Sequence, residues 1–173
     1  ASWTSLLTAQ YLCTGESPTK QGSGAPGIAP YKAYMTLDGE VVVAAGSDSL
    51  FRSLAQVVGH PEWIEDPRFV DNPSRVRNQV ELYRLLDELM SQRPTREWVE
   101  ALEAAGIPCS PVQTIQQMAE HPQTQALGLI QPVPDTSMRF VTLPLSLDGQ
   151  RPVSRGAPPK LGEHTESILN PRS

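Results

Sequence analysis

Seven residues between positions 14 and 30 are glycine or proline: Gly15, Pro18, Gly22, Gly24, Pro26, Gly27 and Pro30. Proline lacks the N–H that a helix or a central strand requires, and glycine keeps more backbone freedom than either element tolerates. The segment is therefore a connector, and the body of the fold must lie beyond residue 30. Ahead of it, Trp3, Leu6, Leu7 and Gln10 or Tyr11 share one helical stripe with no capping residue before them. That pattern predicts a helix already under way at the first residue.

Residues 31–45 predict a hairpin, with Asp38-Gly39 between two β-prone runs. Gly39 is expected to supply the positive φ of a tight turn, and Val41, Val42 and Val43 to be buried on both faces. Helical segments follow. Ser47 or Asp48 caps one with Leu50, Phe51, Leu54, Ala55 and Val58 inward and Gly59 at its end. Residues 74–92 predict one long helix burying Val76, Val80, Tyr83, Leu86 and Met90, with Leu82, Leu85 and Leu89 widening the stripe. Thr95, after Pro94, is expected to cap a third, with Trp98, Leu102 and Ala105 inward and Gly106 beyond. Thr114-Ile115-Gln116-Gln117 is a capping-box pattern for a short fourth, and a further turn starts at Pro122.

Residues 129–133 and 138–143 can pair as short strands around 134–137. Beyond Pro144 periodicity is lost, and Pro152, Pro158, Pro159 and Pro171 dominate. The expected fold class is α/β of the α+β kind: a small antiparallel sheet with a hairpin, packed by about four helices and flanked by extended linkers. Residues 1–30 would be a partial helix and glycine-rich linker, 31–142 a small α/β domain, and 143–173 a Pro-rich return segment and tail unable to fold alone.

Charge narrows the function. Fourteen Lys and Arg against 19 Asp and Glu give a net charge of −5, which argues against a nucleic-acid partner. No apolar run approaches the roughly 18 residues of a membrane span, and no signal-like start is present, so no membrane association and a cytoplasmic location are expected. Cys13 and Cys109 are expected to be free buried thiols, Cys109 in a constrained turn. No His pair has metal-ligand spacing, and no nucleophile elbow exists. His60 and His121 read as helix-boundary residues, while His164 lacks a local explanation and is a candidate for a site or interface role. Glu97, Glu100, Glu103, Asp87 and Glu88 beside Arg84, Arg93 and Arg96 read as solvated ion pairs. No catalytic residue and no metal ligand are assigned.

Gly22-Ser23-Gly24-Ala25-Pro26-Gly27 has the spacing of a dinucleotide fingerprint, but no strand precedes it, and Pro26 and Pro30 prevent the helix that should follow. Two readings remain: a flexible loop, or a loop closing over a site elsewhere and offering free backbone N–H groups.

Several stretches, in order, resemble the family III CoA-transferases, the group that includes formyl-CoA transferase, carnitine CoA-transferases and α-methylacyl-CoA racemase. They are Gly22-Ser-Gly-Ala-Pro-Gly-Ile-Ala-Pro-Tyr31, Asp38-Gly-Glu-Val-Val-Val-Ala44, Gly59-His-Pro-Glu-Trp-Ile-Glu-Asp-Pro-Arg-Phe69 with Asn72 and Arg75, Glu97-Trp98, Ala105-Gly-Ile-Pro-Cys-Ser-Pro-Val112 and Leu161-Gly-Glu-His-Thr165. The resemblance implies a two-domain parent well over twice this length, in which a Rossmann-like large domain binds CoA and two chains interlock as a homodimer. In that family an Asp carboxylate of the large domain is acylated, passing through a mixed anhydride and an aspartyl-CoA thioester, whereas racemase members use acid/base residues of the large domain. Neither set lies in this chain.

The resemblance therefore implies that this chain alone binds no cofactor, that CoA or acyl-CoA is the parent's substrate, and that a missing large domain, in cis or in trans, is its partner. Gly22, Gly24 and Gly27 match the loop that closes on the acyl intermediate and keeps water out. Many relatives have His where this chain has Ala25, which leaves the loop a backbone role. Alone, the chain is expected to be inert. The alternatives are a non-catalytic binding or assembly module reusing this domain, or part of a racemase-like isomerase.

Overall fold

The computed structural model describes residues 4–143, 145–153 and 156–170; Trp3 of the predicted stripe and Pro144 and Pro171 of the tail lie outside the described residues. The chain forms two compact units, Ala1–Val112 and Gln113–Ser173.

In the first unit, helix α1 (Ser5–Thr14) stops at Gly15, whose φ of 75° turns the chain and whose N–H reaches the Tyr11 carbonyl. Every residue of α1 is exposed, Leu6 by 85%, so the expected stripe is not buried within the unit and Cys13 is an exposed thiol instead of a buried one. After the connector come β1 (Tyr31–Met35) and β2 (Glu40–Ala44), paired antiparallel with Tyr34 opposite Val41 and Lys32 opposite Val43. Burial alternates along β2. Val41 and Val43 are buried and Val42 half-buried, so the strand hides one face, not two.

The hairpin turn also differs from expectation. Gly39 does not lie in the left-handed region; a Cβ there would stand 2.9 Å from the Thr95 hydroxyl, so close approach is what demands glycine. A third strand, β3 (Cys109–Pro111), pairs antiparallel with β2 and gives the sheet order β1-β2-β3. Cys109 is thus in an edge strand instead of a turn. Pro111 is tolerated there because an edge strand has one side free of ladder bonds. The half-buried Cys109 thiol is pushed up, first by burial and then by Glu103.

Four helices pack this unit. Ser47 caps α2 (Asp48–Val57) by accepting from the Leu50 amide at 3.2 Å, and Phe51, Leu54 and Ala55 point inward. The long helix expected over 74–92 is two helices, α3 (Asn72–Arg77) and α4 (Gln79–Met90). The break is at Asn78, whose side-chain amide donates to the carbonyls of Ser74 at 2.9 Å and Arg68 at 3.2 Å, competing with helical continuation. As a result α4 buries Leu82, Leu86 and Met90, while Val80 is 81% exposed. Helix α5 (Thr95–Ala104) buries Trp98 and Leu102. Thr95 is its first residue, not its cap; that service comes from Asp38 in the hairpin turn.

The core gathers Tyr34, Val41 and Val43 from the sheet with Phe51, Leu54, Leu86, Trp98 and Leu102 from the helices and Trp63 and Phe69 from the link between α2 and α3. The Tyr34 hydroxyl is buried with no hydrogen-bond partner among the described residues, and burial pushes it well above the ordinary range.

In the second unit, α6 (Ile115–Glu120) carries the expected capping box: Thr114 Oγ1 accepts from the Gln117 amide and Gln117 Oε1 from the Thr114 amide. His121 Nδ1 accepts from the Gln123 amide at the start of α7 (Pro122–Ala126). The expected strands are β4 (Ile130–Pro132) and β5 (Arg139–Val141), paired antiparallel. Beyond them α8 (Thr165–Leu169) forms where no periodicity was expected. Among the described residues of this unit only Thr124 and Val133 are buried, while Leu143, Leu145, Leu147, Leu161, Ile168 and Leu169 are exposed. No helix is long and apolar enough among the described residues to cross a membrane.

Candidate functional site

The glycine segment runs from the end of α1 to the start of β1 without helix or strand, so the dinucleotide context is missing in the structure as in the sequence. Its glycines answer two different needs. Gly22 and Gly27 adopt φ of 60° and 75°, where a side chain would be strained. Gly24 is needed for space: a Cβ there would stand 3.0 Å from the Gln21 carbonyl and 3.4 Å from that of Tyr31. The Gly24 amide closes a turn on the Gln21 carbonyl at 2.9 Å. The amides of Gly22, Ser23, Ala25 and Gly27 take no partner among the described residues, which leaves a run of backbone donors available for a ligand.

Contacts at both ends hold the loop. On one side, Ser23 Oγ accepts from the Ala33 amide at 3.0 Å, on the free edge of β1. On the other, Asn72 at the start of α3 uses both ends of its side chain: Nδ2 donates to the Gly27 carbonyl at 2.9 Å, and Oδ1 accepts from the Ala29 amide at 3.1 Å. Beneath it lies Arg75, with no exposed surface. Its guanidinium donates to the carbonyls of Ala29 at 2.7 Å, Phe69 at 3.0 Å and Gly46 at 2.9 Å, and to Asp48 Oδ1 at 2.8 Å. The cation also sits 4.5 Å from the Phe51 ring centroid.

A buried charge needs a counter-charge and hydrogen bonds, and the guanidinium has Asp48 and four hydrogen bonds here. Asp48 serves twice, since its Oδ1 also accepts from the Asn72 amide at 3.1 Å. Gly46 completes the seat: a Cβ there would fall 2.0 Å from Ile28 Cγ2. A groove of about 360 Å³ runs between the loop and α1, walled by Leu7, Gln10, Pro18, Gln21, Gly24 and Pro26.

The remaining candidates have other partners. His60 Nδ1 contacts Glu62 Oε1 at 2.7 Å and its ring stacks on Trp63. His164 belongs to the second unit, where its carbonyl accepts from the Ile168 amide and the Ser167 hydroxyl at the start of α8. Of the expected ion pairs, Arg84 meets Glu88 and Arg96 meets Glu100, and Arg84 also meets Glu81, which was not expected. Two departures tie elements together instead: Asp87 holds Lys32 at 2.8 Å, and Arg93 lies over Trp98. No three His, Cys, Asp or Glu are grouped for a metal ion among the described residues.

Asn72 and Arg75 stand in the sequence only as residues shared with a family; their grip on the glycine segment was not readable. The signal was partial. An Arg inside an apolar helical pattern is a residue that must find partners if buried, but nothing in the pattern says which backbone it will hold.

The sequence model of CoA-transferase family III matches residues 1–165. The chain is 32% identical over 159 residues to an acetyl-CoA:oxalate CoA-transferase of Acetobacter aceti, covering 91% of this chain and 40% of that protein. It is 32% identical over 163 residues to a succinate–glutarate CoA-transferase of Agrobacterium fabrum, with 92% and 40% covered. A crystal structure of a CAIB/BAIF family protein from Brucella suis superposes with a TM-score of 0.80 at 28% identity, covering 97% of this chain and 44% of that one. The chain belongs to CoA-transferase family III. It spans about two fifths of the length of these relatives.

Proposed function

We propose that this chain is the small-domain and C-terminal portion of a cytoplasmic, homodimeric family III CoA-transferase, and that it supplies the loop covering the active site. The rest of the polypeptide, in cis or in trans, contributes the CoA site and the catalytic carboxylate. CoA thioesters are substrates of that whole enzyme, and this chain alone binds no cofactor. The relatives' names pair acetyl or succinyl groups with oxalate and glutarate, which supports short dicarboxylates as donors or acceptors.

The observation that carries this reading is the glycine segment itself. Gly22, Ser23, Ala25 and Gly27 present amides without a partner among the described residues, on a loop anchored at both ends, in a chain that covers about 40% of its relatives. In a transfer through an acylated carboxylate, the anhydride and the thioester intermediates are both open to hydrolysis. A backbone cover excludes water and offers N–H groups to developing negative charge. The exposed apolar residues of α1 and of the tail support a large complementary surface outside this chain.

The test is an assay of the purified 173-residue chain with acetyl-CoA or succinyl-CoA and oxalate or glutarate, alone and joined to the remaining polypeptide. Turnover is expected only in the joined protein. Turnover by the isolated chain would overturn the reading.

A further inference from the structure

Between them, Asn72 and Arg75 hold three points of the glycine segment's downstream stem. Asn72 takes the Gly27 carbonyl and the Ala29 amide, and Arg75 takes the Ala29 carbonyl. Both are anchored in turn by one carboxylate oxygen of Asp48. Upstream, one hydrogen bond to the sheet holds the loop among the described residues, Ser23 Oγ accepting from the Ala33 amide. Gly22 and Gly27 bracket the stretch between, both with positive φ and open space around the position a Cβ would take.

We propose that Asn72 and Arg75 are positioning residues for the glycine loop. They fix its stem, and the fixed stem sets residues 22–26 at the height where Ser23 meets the edge of β1. The stem and the latch are then coupled, although Asn72 and Ser23 do not touch. A packing role for Asn72 would not produce this coupling, because packing losses loosen the unit as a whole.

The proposal rests on reading the loop as the cover of the site. Amide exchange reads the clamp without substrate, whereas transfer assays read the cover, so either can fail alone. The experiment is residue-resolved amide hydrogen exchange on this chain, comparing wild type with Asn72→Ala and Asn72→Asp. Loss of one hydrogen bond is expected to raise exchange by about five- to tenfold. In Asn72→Ala the Ala29 and Ala33 amides should both speed up by that factor while the β2 amides keep their wild-type rates. Asn72→Asp retains the acceptor for Ala29 but loses the donor to Gly27, and an acidic residue in the first turn of α3 favours the helix. In that variant Ala29 should stay protected and Ala33 should speed up. Unchanged Ala33 exchange in both variants would show that the loop is placed independently of Asn72. A parallel rise across β2 would reduce Asn72 to a packing residue. Either result overturns the proposal.

Discussion

The carboxylate of Asp38, in the turn between β1 and β2, accepts both the amide of Thr95 at 2.7 Å and its hydroxyl at 2.8 Å. A hairpin turn thereby caps a helix 57 residues further along the chain. The bonds from Thr95, backbone first and then side chain, hold the Asp38 carboxyl below the usual carboxylate range. The folded chain therefore favours the ionised form more than the unfolded chain does. The resulting stability is complete above the ordinary value of about 4 and is lost as pH falls through the depressed folded value. Urea midpoints of wild type and Asp38→Asn should differ at pH 7 and converge below about pH 4. A difference that persists undiminished at low pH would show that the charge of Asp38 plays no part.

Arg75 is held by geometry as well as by charge. A lysine there keeps the charge but cannot reach the carbonyls of Ala29, Phe69 and Gly46 together with Asp48. Arg75→Lys is expected to cost about 3 kcal/mol of folding free energy in urea titrations. A cost under about 1 kcal/mol would mean that a buried cation of any shape suffices.

Tyr34 presents the opposite case, a buried hydroxyl without a partner among the described residues. Its ring packs edge-on against Tyr83 with centroids 6.3 Å apart, an arrangement that phenylalanine preserves. Tyr34→Phe should leave stability unchanged or raise it by about 1 kcal/mol. A loss of that size would place a bonded partner at the hydroxyl.

The break at Asn78 sets which face of α4 meets the core. Leu82→Ala should cost about 2–5 kcal/mol, because Leu82 is fully buried. Val80→Lys should change stability by less than about 0.5 kcal/mol, as befits an exposed position. If thermal unfolding ranked the two the other way, the uninterrupted helix expected over 74–92 would be the better description.

The hairpin, the capping box at Thr114, the Ser47 cap and the inward face of α2 were legible because each depends on residues close by in the sequence. The misread features depend on distant ones. Gly39 is fixed by Thr95, the split of α3 from α4 by a side chain that reaches back to Arg68, and β3 by the pairing of Val43 with Cys109. The same holds for the site. Gly22, Gly24 and Gly27 were visible as glycines, whereas the clamp of Asn72, Arg75 and Asp48 beneath them was not, since side-chain grips on remote backbone leave no period in the sequence. The resemblance to family III CoA-transferases supplied the family, and the match over residues 1–165 establishes it.

The role proposed for the loop over residues 22–27 is to keep water from an acyl intermediate. The direct measurement is the ratio of thioester hydrolysis to CoA transfer in the whole enzyme carrying Gly24→Val. A side chain there would crowd the carbonyls of Gln21 and Tyr31, at 3.0 and 3.4 Å from the new Cβ, and lift the loop from the β1 edge. The expected result is a ratio raised on the order of tenfold while the acylation rate stays within about twofold of wild type. An unchanged ratio in a folded variant with a displaced loop would contradict the claim.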